Sequence, residues 1–182
     1  RFECIELCTG GIDLGLLFVQ QRLGARLGAG QIFQPRQLAV LLLDLNKFKP
    51  VNDEYGHAAG DELLKATGES LRKLLRASDT VARLGGDEFV VLLPQLESPL
   101  EVGRVAEKIT AALSQPFALS MATVQIGCSI GQALFPDDGS DADQLIRIAD
   151  EQMYQQKQQH QNAGQYIFKP RLTLFSELHR PH

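Results

Sequence analysis

Residues 80–93 read TVARLGGDEFVVLL and give the clearest indication of the fold. Its two ends, 80–84 and 88–93, are rich in residues that favour β-strands, and residues 85–87 between them are Gly-Gly-Asp. Paired strands around a glycine-containing turn are the natural arrangement of such a sequence. We therefore predict a β-hairpin with Asp87 near its tip.

A second stretch, LAVLLLDL at 38–45, supplies a central strand. It is short and almost continuously apolar, as expected of a strand covered on both faces. The predicted helices around it span 14–27, 58–77, 100–113 and 141–159, and the further β-prone segments span 122–135 and 165–168. This alternation predicts an α/β fold with a mixed sheet, because the hairpin forces an antiparallel pair.

The chain has 182 residues, the length of one domain or slightly more at about 150 residues per domain. Its 18 lysines and arginines against 22 aspartates and glutamates give a net charge of −4, which argues against nucleic acid as a partner. The longest wholly apolar run, 38–43, is far shorter than the roughly 20 residues that span a bilayer. The three cysteines form no CxxC pair and no secretory leader is recognisable, so we expect a cytoplasmic domain, whose parent chain could still be tethered to a membrane.

Carboxylates gather where the predicted strands end. Asp44 ends the central strand, and Asp87 and Glu88 lie at the hairpin. If the strands are neighbours, these carboxylates converge, and converging carboxylates suit the oxygen-preferring Mg²⁺. Gly85 and Gly86 lack a Cβ and let the backbone approach a bulky ligand. The structural alternative is that Asp44 caps a turn and Asp87 is only a turn residue.

The segment that follows Asp44 reads NKFKPVNDEYGH at 46–57 and is interpreted as a loop. A loop that leaves a strand can direct successive N–H groups at a phosphate, with Lys49 supplying the countercharge. Asn52, and Asp61 at the start of the next helix, have the donors and acceptors that read a purine edge, and a carboxylate favours guanine. The alternative interpretation, if each residue is considered by itself, is that Asn52 lies in a turn and that Asp61 is an exposed charge at the start of a helix.

Two other patterns are interpreted as structural. Residues 127–131 match the GxSxG pattern of hydrolases, but β-prone residues continue beyond them, so we predict a core strand. The glutamine-rich stretch 155–161 is interpreted as a solvated helix face.

Together these residues resemble the signature of the GGDEF domain, the diguanylate cyclase family. RLGGDEF at 83–89 is similar to the family's signature, and DLNKFK at 44–49 with YGHAAGD at 55–61 is similar to its second block. The resemblance covers roughly residues 36–168. It implies the nucleotidyl cyclase and polymerase palm fold: α/β, with a mixed, mainly antiparallel central sheet of about five strands covered by helices.

The resemblance also implies an organisation of the chain. Residues 1–35 would be a divergent N-terminal helical segment, 36–168 the catalytic core, and 169–182 a tail or linker. Sensor or regulatory domains would be attached in a longer chain.

The resemblance implies roles for individual residues. Asp44, Asp87, Glu88 and the Leu45 carbonyl would hold Mg²⁺ or Mn²⁺, and Asp87 or Glu88 would assist deprotonation of the attacking hydroxyl, with Lys49 among the catalytic residues. The substrate-binding residues would be Phe48, Lys49, Asn52, His57, Asp61, Gly85, Gly86 and Lys157.

The implied reaction joins two GTP molecules, one per domain of a homodimer, into cyclic di-GMP and releases two pyrophosphates. Arg76 and Asp79, at the family's spacing for an RxxD site, would bind the product as an inhibitor. The chain departs from the family at Leu14 and Gln161, where a basic residue is usual. These departures keep an alternative open, a module that binds GTP or cyclic di-GMP and regulates a neighbouring domain without turnover.

Overall fold

The computed structural model describes residues 37–162, so the predicted helix 14–27, the predicted strand 165–168 and both terminal segments lie outside the described residues. Within that range no helix combines the length and apolar character that crossing a bilayer requires. The elements, in chain order, are β1 (Gln37–Asn46), α1 (Phe48–Tyr55), α2 (His57–Leu74), β2 (Thr80–Gly85), β3 (Glu88–Leu96), α3 (Leu100–Leu113), β4 (Phe117–Ala118), β5 (Thr123–Val124), β6 (Gly127–Phe135) and α4 (Ala142–Asn162).

The main sheet has the strand order β2-β3-β1-β6, and the four described strands pair antiparallel throughout. The predicted α/β fold with a mainly antiparallel sheet is therefore confirmed, as is the hairpin of β2 and β3 around residues 85–87. Strands β4 and β5 form a separate small ribbon.

Strand β1 lies between two cores, which explains its almost continuous apolar sequence. Leu41 and Leu43 point to one face, where they pack with residues of α2 and α3. Val40 and Leu42 point to the other face, where they pack with Leu145 and other residues of α4. Since side chains alternate along a strand, only a run apolar at every position can serve both cores. The prediction of a strand covered on both faces is confirmed.

The interpretation of 46–57 as a loop is wrong. Phe48–Tyr55 forms helix α1, and a single residue, Lys47, with a φ of 66°, turns the chain out of β1. Pro50 argues against a helix in the sequence, because proline usually breaks helices. Here, however, Pro50 lies in the first turn of α1, where backbone N–H groups have no acceptor within the helix, so the missing N–H costs no hydrogen bond. Gly56, with a φ of 83°, separates α1 from α2.

Two other segments differ from the predictions. Residues 122–135 do not form one strand, because Gln125 and Ile126 separate β5 from β6. The glutamine-rich stretch is not wholly solvated either. Gln156 accepts a hydrogen bond from the backbone N–H of Ile130, and Gln152, which precedes the stretch on the same helix, accepts one from the backbone N–H of Gln132 at 3.3 Å. Side chains of α4 thus satisfy donors on the edge of β6 that β1 does not pair.

Residues 127–131 are a core strand, as predicted. Ser129, the residue that would be the hydrolase nucleophile, is fully buried in β6, and its hydroxyl donates to Asn46 Oδ1 at 3.1 Å. Burial also raises the pKa of the neighbouring Cys128 thiol to about 11, which leaves it protonated near neutral pH.

The close packing of α4 on β6 requires glycine at position 131. A Cβ there would lie 1.8 Å from the Ala149 carbonyl oxygen and 2.4 Å from the Met153 backbone nitrogen, so α4 would have to move. Both contacts are with backbone atoms, which cannot rotate away as a side chain can.

We expect Gly131→Ala to lower the free energy of unfolding by about 1–3 kcal/mol, the usual cost of overpacking. The measurement is urea unfolding of the purified protein. Gly103→Ala is the matched control, because nothing lies within 4 Å of a Cβ at that helical position. The control should keep or raise stability, and equal unfolding midpoints for the two variants would contradict the close approach of α4.

Candidate functional site

The structure brings together the acidic residues at one end of the sheet, and we call Asp44, Asp87 and Glu88 the acidic end. Asp44 lies in β1 directly opposite Glu88, the first residue of β3. Asp87 precedes Glu88 in the hairpin turn, and its carbonyl accepts a hydrogen bond from the Leu45 N–H at 3.2 Å. The antiparallel register of β1 and β3 therefore fixes the position of all three acids.

Asp44 is the most deeply placed of them. It is 4% exposed and lies within the strand, so it does not cap a turn. Lys157 of α4 donates to its Oδ2 at 2.6 Å, whereas its Oδ1 is buried without a hydrogen-bond partner. An ionised carboxylate that is buried with one oxygen unsatisfied is costly. This oxygen is the strongest local sign that the site receives another group.

Two of the three acids, Asp87 and Glu88, have raised pKa values. Burial, and then the charge of Asp44, raises the pKa of Asp87. Burial also raises the pKa of Glu88, followed by the charges of Asp44, Asp87 and Asp150. Burial by itself lowers the pKa of Lys157, but its hydrogen bond to Asp44 and the surrounding carboxylates outweigh this, so its pKa is raised overall. The carboxylates around Lys157 carry more negative charge than this one lysine neutralises, and the excess favours binding of a cation.

The donor set at the acidic end fits a hard divalent cation. Asp44 Oδ1, the Asp87 carboxylate and the Leu45 carbonyl are all oxygen donors of the kind that Mg²⁺ and Mn²⁺ prefer. Within residues 37–162, no group of three or more His, Cys, Asp or Glu side chains forms a complete protein-made metal site. A cation here would complete its coordination with water or phosphate oxygens, which is how Mg²⁺ is usually held beside nucleotides.

A cavity of about 340 Å³ opens beside the acidic end, and we call it the lysine cavity. It is lined by Leu45, Asn46, Lys47, Phe48, Lys49, Asp87, Lys157, His160 and Gln161. Three of these residues are lysines, which come from the start of α1 and from α4. A cavity lined by lysines next to a cluster of carboxylates is suited to bind a chain of phosphate groups together with a cation.

The candidate guanine-binding residues lie on α1 and α2. Asn52 is not a turn residue, because it lies within α1 and is half-buried. Asp61 is exposed and lies just beyond the first turn of α2, so it is not a charge at the helix start. His57 is the exposed first residue of α2.

Gly60 is a residue of this site that sequence reasoning did not single out. A Cβ at position 60 would lie 1.9 Å from Asn52 Oδ1 and 3.2 Å from Phe48 Cζ. The absence of a side chain thus lets α1 approach α2, with the Asn52 side chain against Gly60. The signal in the sequence was the glycine directly before Asp61, but its role depends on a contact between two helices.

The hairpin turn is shaped by its glycines. Gly86 has a φ of 51°, a backbone conformation that glycine adopts without strain. Its carbonyl accepts a hydrogen bond from Arg83 Nε at 2.9 Å, which braces the turn. Gly85 ends β2 at an irregularity in its pairing with β3.

Arg76 and Asp79 lie apart from the acidic end. They precede β2, whereas Asp87 follows it, so a six-residue strand of about 20 Å separates the two places. Asp79 Oδ2 accepts from the Arg76 backbone N–H at 2.9 Å, and the exposed Arg76 guanidinium lies 3.8 Å from Glu101. These residues form a folded surface loop with an accessible arginine.

Comparison with known proteins places this geometry in a family. The family model described as "Diguanylate cyclase, GGDEF domain" matches residues 17–163. The chain is 48% identical over 128 residues to the bifunctional diguanylate cyclase/cyclic di-GMP phosphodiesterase MucR of Pseudomonas aeruginosa, covering 70% of this chain and 18% of MucR. It is 36% identical over 173 residues to the cyclic di-GMP phosphodiesterase NbdA of the same species, covering 95% of this chain and 21% of NbdA.

A third relative, the diguanylate cyclase TpbB of Pseudomonas aeruginosa, is 46% identical over 124 residues, covering 68% of this chain and 28% of TpbB. The crystal structure of its GGDEF domain matches the fold with a TM-score of 0.75 at 42% identity, and covers 79% of this chain and 89% of that domain. The chain thus spans less than a third of the length of these curated relatives. Because the family model matches most of the chain, and its signature residues form the acidic end, the protein belongs to the diguanylate cyclase GGDEF domain family.

Proposed function

We propose that this domain is a diguanylate cyclase, which condenses two GTP molecules into cyclic di-GMP and releases two pyrophosphates. The observation that carries the proposal is the buried Asp44 with one unpartnered oxygen, set beside Asp87 at the lysine cavity. A module that only binds a nucleotide could lose such a costly buried carboxylate, whereas a metal-dependent transferase requires it.

In this proposal Asp44, Asp87, Glu88 and the Leu45 carbonyl hold Mg²⁺ or Mn²⁺. When bound, the cation neutralises phosphate charge and favours ionisation of the attacking hydroxyl. Lys49, exposed at the start of α1, then binds the terminal phosphates of GTP. Lys157 lies 2.6 Å from Asp44 and also lines the cavity, so it can pair with the carboxylate and a phosphate oxygen together.

The base of the nucleotide would be read by α1 and α2. Asp61 can accept from the N1–H and N2–H₂ of guanine, and Asn52 can donate and accept at the same edge. Gly60 leaves room for the Asn52 side chain, since a Cβ at position 60 would lie 1.9 Å from Asn52 Oδ1. His57 and the glycines 85 and 86 would border the bound nucleotide, the glycines by allowing its close approach to the backbone.

The chemical step requires two domains face to face. The 3′-oxygen of one GTP attacks the α-phosphorus of the other, and the bond from that phosphorus to the bridging oxygen breaks and releases pyrophosphate. Asp87 or Glu88 receives the 3′-hydroxyl proton. One domain supplies only half of this reaction centre, so the active form is a homodimer.

A second candidate function is a module that binds GTP or cyclic di-GMP without turnover and regulates a neighbouring domain. Gln161 favours it, because this uncharged residue lines the lysine cavity where the family usually has a cation. The relative named as a phosphodiesterase, NbdA, also favours it, since the likeness extends over 95% of this chain. Under both functions the domain would act within a longer signalling protein.

The test that separates these functions is product analysis after the purified protein is incubated with GTP and Mg²⁺ at high protein concentration. We expect wild-type protein to form cyclic di-GMP, and Asp87→Ala to form none. Glu107→Ala is the matched control, because Glu107 is an exposed acid on α3, away from the acidic end. Binding of GTP by wild-type protein without any product would contradict the cyclase and support the regulatory module.

We further propose that Arg76 and Asp79 bind the product as an inhibitor. The exposed guanidinium of Arg76 can form paired hydrogen bonds with guanine or phosphate, and Asp79 can accept from guanine. The separation of this loop from the acidic end by the length of β2 lets product and substrate bind at once.

We expect Arg76→Ala to raise the cyclic di-GMP concentration that halves the initial rate by about tenfold or more, since a charge-assisted hydrogen bond contributes about 1.5–3 kcal/mol. Initial rates at increasing added product provide the measurement. Arg72→Ala, which changes an exposed arginine one helical turn earlier, is the control. The same inhibition in wild type and Arg76→Ala would rule out this site.

A further inference from the structure

His160 occupies a position in the lysine cavity that none of the assigned roles uses. It follows Lys157 by three residues on α4, so the two side chains lie on the same face of the helix. Both line the cavity, together with Lys49 at the start of α1. The adjacent residue, Gln161, also lines it but carries no charge.

The imidazole ring of His160 is anchored to the sheet on one side. Its Nδ1 lies 3.3 Å from Ser129 Oγ and 3.4 Å from Asn46 Nδ2. Ser129 is fully buried and Asn46 is 8% exposed, so both anchors belong to the core of β1 and β6. A ring held between two buried polar groups has a defined orientation.

These anchors also fix the tautomer. The Ser129 hydroxyl donates its one hydrogen to Asn46 Oδ1, but the amide nitrogen of Asn46 can only donate, so Nδ1 acts as the acceptor towards Asn46. The neutral ring then carries its proton on Nε2, the nitrogen on the other side of the ring from Nδ1. An N–H donor in a cavity whose walls carry three lysines is suited to an anionic oxygen.

We propose that His160 is a further substrate-binding residue, which donates from Nε2 to the phosphate chain of the nucleotide in the lysine cavity. This inference rests on the proposed binding of GTP there. His160 thereby supplies a phosphate contact from the end of α4, next to the uncharged Gln161.

The test compares binding of α,β-methylene GTP, which cannot release pyrophosphate by cleavage at the α-phosphate, with binding of guanosine, which has no phosphate. Both are titrated calorimetrically in the presence of Mg²⁺ into wild type, His160→Asn and His160→Gln. The asparagine amide can replace Nδ1 against Asn46 and Ser129 but lacks Nε2, whereas the glutamine amide reaches the position of Nε2. Gln158→Asn, at an exposed position of the same helix, is the control.

We expect His160→Asn to weaken binding of the GTP analogue by about tenfold or more, as for loss of a hydrogen bond to a charged group. Its guanosine affinity and unfolding midpoint should match those of wild type, and His160→Gln should recover part of the loss. Equal analogue affinity in wild type and His160→Asn, or equal losses for analogue and guanosine, would overturn the assignment to phosphate. Failure of wild type to bind the analogue would instead overturn the proposed function itself.

Discussion

The structure depends on a carboxylate buried at the end of its central strand. Asp44 sits where β1 leaves the apolar core, and Lys157 satisfies only one of its two oxygens. Burial of an ion costs several kcal/mol even after local relaxation, and a partner offsets that cost only when the remaining hydrogen bonds are made. Asp87 adds repulsion instead of relief. The unsatisfied oxygen is therefore a local cost to stability that a bound cation would remove.

The elements that hold Asp44 in this state also build the rest of the site. The register of β1 with β3 sets Glu88 opposite Asp44, and the hairpin turn then places Asp87 beside them. Helix α4 carries Lys157 to the same point, and it can do so because Gly131 lets the helix backbone lie against β6. Gly60 likewise gives α1 a close approach to α2. Gly131 thus helps to position Lys157, and Gly60 helps to position Asn52.

Local sequence predicts the parts of this arrangement that have local causes. The hairpin and the buried strand follow from turn chemistry and from apolar runs, and the convergence of the acids follows once those strands are neighbours. Helix α1 escaped prediction because eight residues containing Pro50 are too few to show helical periodicity. The ion pair of Lys157 with Asp44 joins residues 113 positions apart, so no local spacing in the sequence predicts this contact. His160 was passed over for the same reason, because its anchors lie on β1 and β6.

The most direct test of the central claim is a titration of the purified protein with Mn²⁺, followed by the electron paramagnetic resonance signal of the free ion, with α,β-methylene GTP present. We predict that wild-type protein binds Mn²⁺ beyond the amount that the analogue binds alone. Asp44→Asn, which keeps the shape but not the charge, should lose this additional binding while remaining folded. Equal Mn²⁺ binding by wild type and Asp44→Asn would contradict it, because the buried carboxylate would then have no part in holding the metal.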